Sequence, residues 1–180
     1  MNQNHSSAFN TRRVARCALV AAVYVALCLG LAPFSFGAVQ IRVAEILTLM
    51  PIFGPEYIAA VSVGCFLSNL LGVSMGMTAA PDILFGTLAT VLACLVTYRL
   101  RGLRPAGLAL PAAVPPVLFN ALIVGWEISV FFSDTPATLP VTLFNMLTVG
   151  VGEVISCCVL GVALVKLIER NRALRRIFAA

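Results

Sequence analysis

Residues 12–32 read RRVARCALVAAVYVALCLGLA, in which arginines at positions 12, 13 and 16 introduce an apolar run that reaches Ala32. An α-helix needs about 20 apolar residues to cross roughly 30 Å of hydrocarbon, so this run is long enough to span a bilayer. A basic cluster before an apolar run also occurs in secretory signal peptides. Because no small-residue cleavage site leads into a soluble domain, we expect the helix to be retained.

The rest of the chain repeats this alternation of basic clusters and apolar runs. Hydrophobic residues make up 61% of the 180 residues and charged residues 11%, and the mean hydropathy is +1.02. This composition excludes a soluble domain folded around one core. The long unbroken runs favour helices. The sequence therefore predicts an all-α integral membrane protein.

The positions of the basic residues predict the topology, because basic loops are retained on the cytoplasmic side of a membrane. Eleven of the twelve Lys and Arg residues form three clusters: Arg12, Arg13, Arg16; Arg99, Arg101, Arg104; and Lys166, Arg170, Arg172, Arg175, Arg176. If every cluster is cytoplasmic, an even number of crossings separates each from the next, and four followed by two fit the lengths. We expect a multi-pass protein of the plasma membrane with both termini in the cytoplasm.

Six helices are predicted between the proline and glycine breakers, at Val14–Ala32, Val43–Phe53, Glu56–Leu71, Asp82–Tyr98, Pro115–Phe132 and Pro140–Ile168. They form a membrane domain over residues 14–170, between a polar N-terminal tail at 1–13 and a basic C-terminal tail at 171–180. The second helix is too short to span, which predicts a tilted or partly re-entrant segment. Such backbone is tolerated only where protein or a wet cavity covers it, so this segment hints at a binding site.

Polar residues inside the apolar runs are the candidates for function, because hydrocarbon normally excludes them. They are Gln40, Arg42, Glu45, Asn69, Asp82, Asn120, Glu127, Asn145 and Glu153. Three pairs of them each share one face of a helix, because their members are three, seven and eight residues apart. The pairs are Arg42/Glu45, Asn120/Glu127 and Asn145/Glu153. Convergence of these faces would form an outward-facing pocket for a polar small molecule.

Structural roles compete with this interpretation. Arg42 and Glu45 would also neutralise each other, and Asp82 after Pro81 would also cap the fourth helix. The asparagines would also join helices, at about 0.6 kcal/mol each. Trp126 would either stack on a planar ligand or anchor the chain at the membrane interface. Glu127 and Glu153 favour a binding site most, since an unpaired carboxylate at this depth costs about 2.5–3.5 kcal/mol.

A second pattern lies on the first helix, where Ala18, Ala22, Ala26 and Gly30 recur every four residues. Such a stripe of small residues lets another helix approach closely. The sequence leaves two partners open, namely a helix of the same bundle or a separate membrane subunit.

Several functional classes are disfavoured. The basic residues form no stripe with interleaved aromatics, which argues against nucleic-acid binding. The six cysteines lack paired metal-ligand spacing, and the sequence contains no Walker loop, HExxH or GxSxG motif. We therefore expect no metal or cofactor in this chain and no ATP hydrolysis by it. An integral-membrane enzyme using two acids and a ligand-free scaffold remain as alternatives to a solute-binding transport subunit.

Three stretches resemble the QueT family: SFGAVQIRVAEIL at residues 35–47, GCFLSNLLG at 64–72 and DILFGTLAT at 82–90. The likeness continues through Asn120, the Trp126-Glu127 pair and GVGE at 150–153, so it covers most of the chain. Members of this family are substrate-binding S components of energy-coupling factor (ECF) transporters assigned to queuosine precursors.

The resemblance implies a six-helix S component that binds its substrate externally and docks on a transmembrane T subunit driven by two cytoplasmic ATPases. In this arrangement the S component topples in the membrane to deliver its ligand, and partner subunits use the ATP. Ala18, Ala22 and Ala26 resemble the alanine-rich docking surface of S components. The implied cargo is a deazaguanine such as the aminomethyl precursor, queuine or queuosine, with another vitamin-like solute as the alternative.

Overall fold

A computed structural model of the chain describes residues 11–32, 42–133 and 136–178, and over these residues the protein is helical with no β-strand. Apart from a 3-10 turn at Pro105–Gly107, the described ranges contain α1 Thr11–Gly30, α2 Val43–Ile52, α3 Glu56–Ser74, α4 Pro81–Leu100, α5 Leu110–Phe132, α6 Leu139–Arg170 and α7 Arg172–Phe178.

The helices have the length and surface of membrane spans. Five of them, α1, α3, α4, α5 and α6, are long and apolar enough to cross a bilayer. Large apolar side chains cover the outside, and Leu84, Phe144 and Leu147 are 65–68% exposed. Soluble monomeric proteins rarely expose apolar surface on this scale. The predicted all-helical membrane class is confirmed for the described residues, whereas six crossings and two cytoplasmic termini stay predictions.

The short second helix is confirmed, and it lies at the centre of the bundle. α2 is a 3-10 helix in which eight of ten residues are buried. At about 2 Å per residue it extends only about 20 Å, so it does not span the hydrocarbon by itself. Ala44, Leu47 and Met50 pack into one apolar cluster with α1 and α3, while Leu49 and Ile52 pack into a second cluster with α5 and α6. The protein builds its core around this helix.

The predicted start of the fifth helix was wrong, because α5 begins at Leu110 rather than Pro115. Pro111 occupies the first turn, where its missing N–H costs nothing. Pro116 lies inside the helix and cannot donate to the Ala112 carbonyl one turn earlier. The Thr97 hydroxyl of α4 donates to that carbonyl instead, at 2.8 Å. A neighbouring helix therefore compensates for the proline, which sequence alone does not reveal.

The turn between α3 and α4 is fixed by a glycine. Gly76 has a φ of +70°, a conformation that residues with a Cβ rarely adopt. Its N–H donates to the Val73 carbonyl at 3.0 Å, and the next N–H, that of Met77, donates to the Gly72 carbonyl at 2.8 Å. This is the Schellman pattern of helix ends. It satisfies the terminal carbonyls of α3 and leads the chain toward Asp82.

All three basic clusters meet at one end of the bundle, which we call the basic end. Arg13 approaches Glu56 of α3 at 3.7 Å, and Arg104 approaches Glu169 of α6 at 3.1 Å. The Arg16 guanidinium donates to the Ile177 carbonyl of α7. These contacts tie the start of α1, the α4–α5 connection and the chain after α6 together, which is the arrangement that the topology requires.

Part of the predicted C-terminal tail is a docked helix. Asn171 caps α7, because its side-chain oxygen accepts hydrogen bonds from the backbone N–H groups of Ala173 and Leu174 at 2.9 and 3.2 Å. Leu174 and Phe178 pack against the core cluster of α1, α2 and α3. The Tyr57 hydroxyl donates to the Phe178 carbonyl at 3.1 Å. α7 therefore belongs to the packed structure at the basic end.

Close packing of α5 against α6 gives a stability prediction. A Cβ on Gly125 would lie 2.6 Å from the Met146 Cα, whereas a Cβ on Gly150 would meet the Ala121 Cβ at an ordinary 3.5 Å. We expect Gly125→Ala to lower the free energy of unfolding by about 1–3 kcal/mol, because backbone atoms must move apart. Gly150→Ala is the matched control and should unfold like the wild type. Thermal unfolding of the detergent-solubilised chain measures both, and equal melting temperatures for the two variants would contradict the packing.

Candidate functional site

The polar cluster is organised by a buried ion pair between α2 and α4. The Arg42 guanidinium lies 2.8 Å from Asp82 Oδ2, and each side chain is 3% exposed. Thr78, in the turn before α4, donates its hydroxyl to the same oxygen at 2.8 Å. The pair joins the residue before α2 to the first turn of α4. Asp82 and Arg99 lie at opposite ends of α4, about 26 Å apart, so the cluster is remote from the basic end.

Asn69 of α3 completes this side of the cluster. Its amide Nδ2 donates to the Asp82 backbone carbonyl at 2.9 Å, while its Oδ1 has no hydrogen-bond partner among the described residues. A Cβ on Gly86 would lie 2.8 Å from Asn69 Nδ2, 3.0 Å from Asp82 Oδ1 and 3.4 Å from Arg42 Nη1. The missing side chain of Gly86 therefore leaves space for these three groups to meet.

Glu45 and Glu153 form the neighbouring part of the cluster. The Tyr24 hydroxyl of α1 donates to Glu45 Oε1, and Glu45 Oε2 has no partner within the described ranges. The Cys157 thiol lies 3.3 Å from Glu153 Oε2 and 3.4 Å from the Glu45 backbone carbonyl, which places both groups around one sulfur. Groups from α1, α2 and α6 thus meet in the interior.

Asn120 and Glu127 of α5 carry the largest unused hydrogen-bonding capacity. Both are buried, Asn120 at 2% and Glu127 at 0% exposure. Asn120 lies beside Glu45 and Glu153, but neither atom of its amide makes a hydrogen bond of good geometry to a described residue. Both Glu127 oxygens are also without a partner there. Leaving a buried polar group unsatisfied costs about 1–3 kcal/mol, so these groups favour an additional partner.

A single charge connects these groups electrostatically. Arg42 is close enough to act on Glu45, Glu127 and Glu153 as well as on Asp82. It is also the one buried Lys or Arg in the described ranges, whereas the buried acids there are Glu45, Asp82, Glu127 and Glu153. Among the described residues, the cluster therefore contains more buried carboxyl groups than buried cationic side chains.

The backbone departs from regular α-helix beside these residues. α5 changes to π-helix over Asn120–Val124 and again over Ile128–Phe132, on either side of Glu127. α6 does the same over Val154–Gly161, directly after Glu153. Short π-segments cost helical regularity and occur frequently at functional sites, because they re-aim side chains.

Seven of the predicted site residues are therefore buried together, namely Arg42, Glu45, Asn69, Asp82, Asn120, Glu127 and Glu153. Asn145 is half-buried, and its amide donates a hydrogen bond to the Ser129 hydroxyl at 3.0 Å, which joins α6 to α5 away from the buried set. Trp126 is 42% exposed and packs edge-on against Phe85, with ring centroids 5.6 Å apart. That position suits an interface anchor better than a ligand platform. Gln40 lies outside the described residues.

Two of the competing structural roles need correction. Arg42 forms its ion pair with Asp82 and not with Glu45, whose carboxylate accepts from Tyr24 instead. Asp82 does not cap α4, because the helix begins at Pro81 and Asp82 already lies in its first turn. Long-range packing decided the first case, since Asp82 is 40 residues from Arg42 and Tyr24 is 21 residues from Glu45 along the chain.

Sequence reasoning missed Tyr24, Thr78 and Cys157. A signal for Tyr24 existed, because it is the single hydroxyl-bearing residue in the apolar run of α1. Its ring is 0% exposed, while Ala18, Ala22, Ala26 and Gly30 on the other side of α1 are exposed. The described helices therefore leave the small-residue stripe uncovered, and its docking on a separate membrane subunit stays a prediction. α1 turns Tyr24 toward the polar cluster and its stripe outward.

The described residues show no group of three or more His, Cys, Asp or Glu side chains placed to hold a metal ion.

Comparison with known proteins identifies relatives. The sequence profile of the family described as "QueT transporter" matches residues 14–170. The Queuosine precursor transporter QueT of Lactococcus lactis subsp. cremoris (strain MG1363) is 37% identical over 83 residues. That match covers 45% of this chain and 46% of the relative, so the chain matches slightly less than half the relative's length. No solved structure matches the chain.

The buried ion pair yields a stability prediction. We expect Asp82→Ala to destabilise the protein by about 3–5 kcal/mol, because it leaves the Arg42 charge buried beside fewer acceptors. The double variant Arg42→Met/Asp82→Ala should recover part of that loss. The exposed Arg13→Ala is the control, and breaking its pair with Glu56 should cost no more than about 1 kcal/mol. Chemical unfolding of the solubilised chain measures all three variants, and equal losses for Asp82→Ala and Arg13→Ala would contradict the buried pair.

Proposed function

The chain belongs to the QueT transporter family, and on that premise we propose that it binds a queuosine precursor for uptake across the plasma membrane. The family is one of transporters, so the protein is not an enzyme. The name of the Lactococcus relative supports the choice of cargo. Within this proposal the buried polar cluster is the substrate site.

The observation that carries the proposal concerns the two carboxylate oxygens of Glu127, which are buried and have no hydrogen-bond partner among the described residues. A deazaguanine presents a ring N–H and an exocyclic NH₂ side by side, and a carboxylate accepts such a pair in bidentate fashion. Asn120 offers both a donor and an acceptor, which suit a ring carbonyl and a ring N–H. Asn69 Oδ1 adds a further acceptor. Binding would thereby remove several unsatisfied groups at once.

The charge of the cluster favours a precursor that carries a basic amine. Four buried acids face Arg42, and Asp82 already pairs with it at 2.8 Å. A ligand cation placed beside Glu45 or Glu153 would stabilise the charged form of that carboxylate, which the interior otherwise disfavours. The aminomethyl deazaguanine has such a group, and queuine and queuosine have it as a secondary amine, so the chemistry favours these amine-bearing cargoes over guanine itself.

We further propose that the protein is the S component of an ECF transporter. Six crossings with both termini in the cytoplasm would place the basic end inside and the polar cluster toward the outside. Partner subunits would supply the driving force, namely a transmembrane T subunit and two ATPases that use ATP. The exposed stripe of Ala18, Ala22 and Ala26 supports α1 as the helix that meets the T subunit, because small residues allow close helix approach.

A titration tests the cargo and the role of Glu127. We expect the purified chain to bind the aminomethyl deazaguanine more tightly than guanine, and Glu127→Gln to weaken binding about tenfold or more, since an amide accepts through only one oxygen. Glu56→Gln at the basic end is the matched control and should bind like the wild type. Isothermal calorimetry measures the three affinities.

Two calorimetric outcomes would contradict this assignment. Glu127→Gln binding as tightly as the wild type would exclude Glu127 as the acceptor. Absence of heat with the aminomethyl precursor, queuine and queuosine alike, combined with tight binding of another vitamin-like solute, would exclude the cargo.

A separate experiment tests the docking helix. We expect Ala22→Leu/Ala26→Leu to abolish most co-purification with the T subunit, because the larger side chains hold the helices apart, while ligand affinity stays unchanged. Ala163→Leu is the control, since Ala163 is an equally exposed alanine on α6. Equal recovery of the complex for both variants in a pull-down from co-expressing cells would exclude α1 as the contact.

A further inference from the structure

The basic end contains a cavity whose lining shares no residue with the polar cluster. It has a volume of about 380 Å³ and is lined by Ile52, Phe53, Arg104, Glu169 and Arg175. These residues come from the end of α2, the α4–α5 connection, the end of α6, and α7. Arg104 and Arg175 are distant in sequence and are brought to one cavity by the docking of α7.

The charges in this cavity favour an anion. Arg104 is paired with Glu169 at 3.1 Å, with the two side chains 25% and 41% exposed. Arg175 adds a second guanidinium, so the lining carries an excess of positive charge. Guanidinium groups bind phosphate oxygens through two parallel hydrogen bonds. Ile52 and Phe53 supply an apolar floor, which suits a ligand with both a charged and an apolar part.

An apolar groove also borders α7. Its volume is about 140 Å³, and its lining consists of Leu19, Val20, Val23, Leu47, Met50, Leu164, Ile168, Leu174 and Phe178. Leu174 and Phe178 of α7 line this groove, while Arg175 lines the basic cavity. The same short helix therefore contributes to a site for a charged group and to a site for hydrocarbon.

We propose that the basic cavity binds the headgroup phosphate of an anionic phospholipid, with an acyl chain in the apolar groove beside α7. The argument is charge complementarity, because basic pockets between membrane helices on the cytoplasmic side attract anionic headgroups. α7 has the composition of an interfacial helix, with Arg172, Arg175 and Arg176 beside apolar residues. The inference rests on the proposed orientation and is independent of which solute the polar cluster binds.

The test compares two double variants of the full chain that remove equal charge. Arg104→Gln/Arg175→Gln removes both cavity arginines, and Arg99→Gln/Arg170→Gln removes two exposed arginines of the same end that lie outside α7 and do not line the cavity. Delipidated protein in neutral detergent is titrated with phosphatidylglycerol or phosphatidylcholine, and native mass spectrometry counts the bound lipids. The thermal unfolding temperature of the solubilised chain serves as the folding control for each variant, and the deazaguanine titration is run separately.

We expect the wild type to retain one phosphatidylglycerol in preference to phosphatidylcholine. The cavity variant should bind phosphatidylglycerol about tenfold or more weakly, and the control variant should stay within about threefold of the wild type. Equal weakening by the two variants would show diffuse attraction and overturn the site, as would equal binding of the two lipids. Displacement of the lipid by millimolar inorganic phosphate alone would also overturn it. A failed solute titration with intact lipid selectivity would count against the proposed cargo and not against this site.

Discussion

The buried ion pair of Arg42 with Asp82 is the interaction on which the buried polar cluster depends. Removing two charges from water is costly, and the cost is offset only when geometry is good and the remaining hydrogen-bonding groups are satisfied. Thr78 supplies a hydrogen bond to Asp82, and Asn69 binds the backbone of the same residue. The pair thereby fixes the start of the central helix α2 against α4, and α2 in turn joins the two apolar clusters of the core.

Around this fixed pair lie polar groups that the described part of the protein does not fully satisfy. Both Glu127 oxygens lack a hydrogen-bond partner there, and Asn120, beside Glu45 and Glu153, makes no hydrogen bond of good geometry to a described residue, although both residues are buried. A scaffold would gain stability by replacing them with apolar residues, since unsatisfied groups cost free energy. Under the proposed function, a bound ligand would complete the network and account for their presence. α1 contacts this network through Tyr24 and leaves its alanine stripe outward, so one helix borders both the proposed substrate site and the proposed partner surface.

The sequence predicted the helices well because apolar runs and breakers are local signals. It also predicted seven of the polar residues that are buried together, since residues such as Asn69 and Glu153 have few stable locations in an apolar bundle, whereas Asn145 is only half-buried. It did not predict the start of α5, because Thr97 compensates for Pro116 from another helix. The partner of Arg42 was missed for the same reason, since Asp82 is 40 residues away. The docked helix α7 was also not predicted. It is short, and the packing of its apolar residues depends on contacts with the folded bundle rather than on local sequence.

The most direct test of the central claim is to identify the small molecule that the purified full-length chain retains from cells. The account predicts about one deazaguanine with a basic amine per chain, released on denaturation and identified by mass spectrometry. Retention of an acidic solute or of one without adjacent N–H donors would contradict it, because such a molecule leaves Glu127 unsatisfied and adds no positive charge to the cluster.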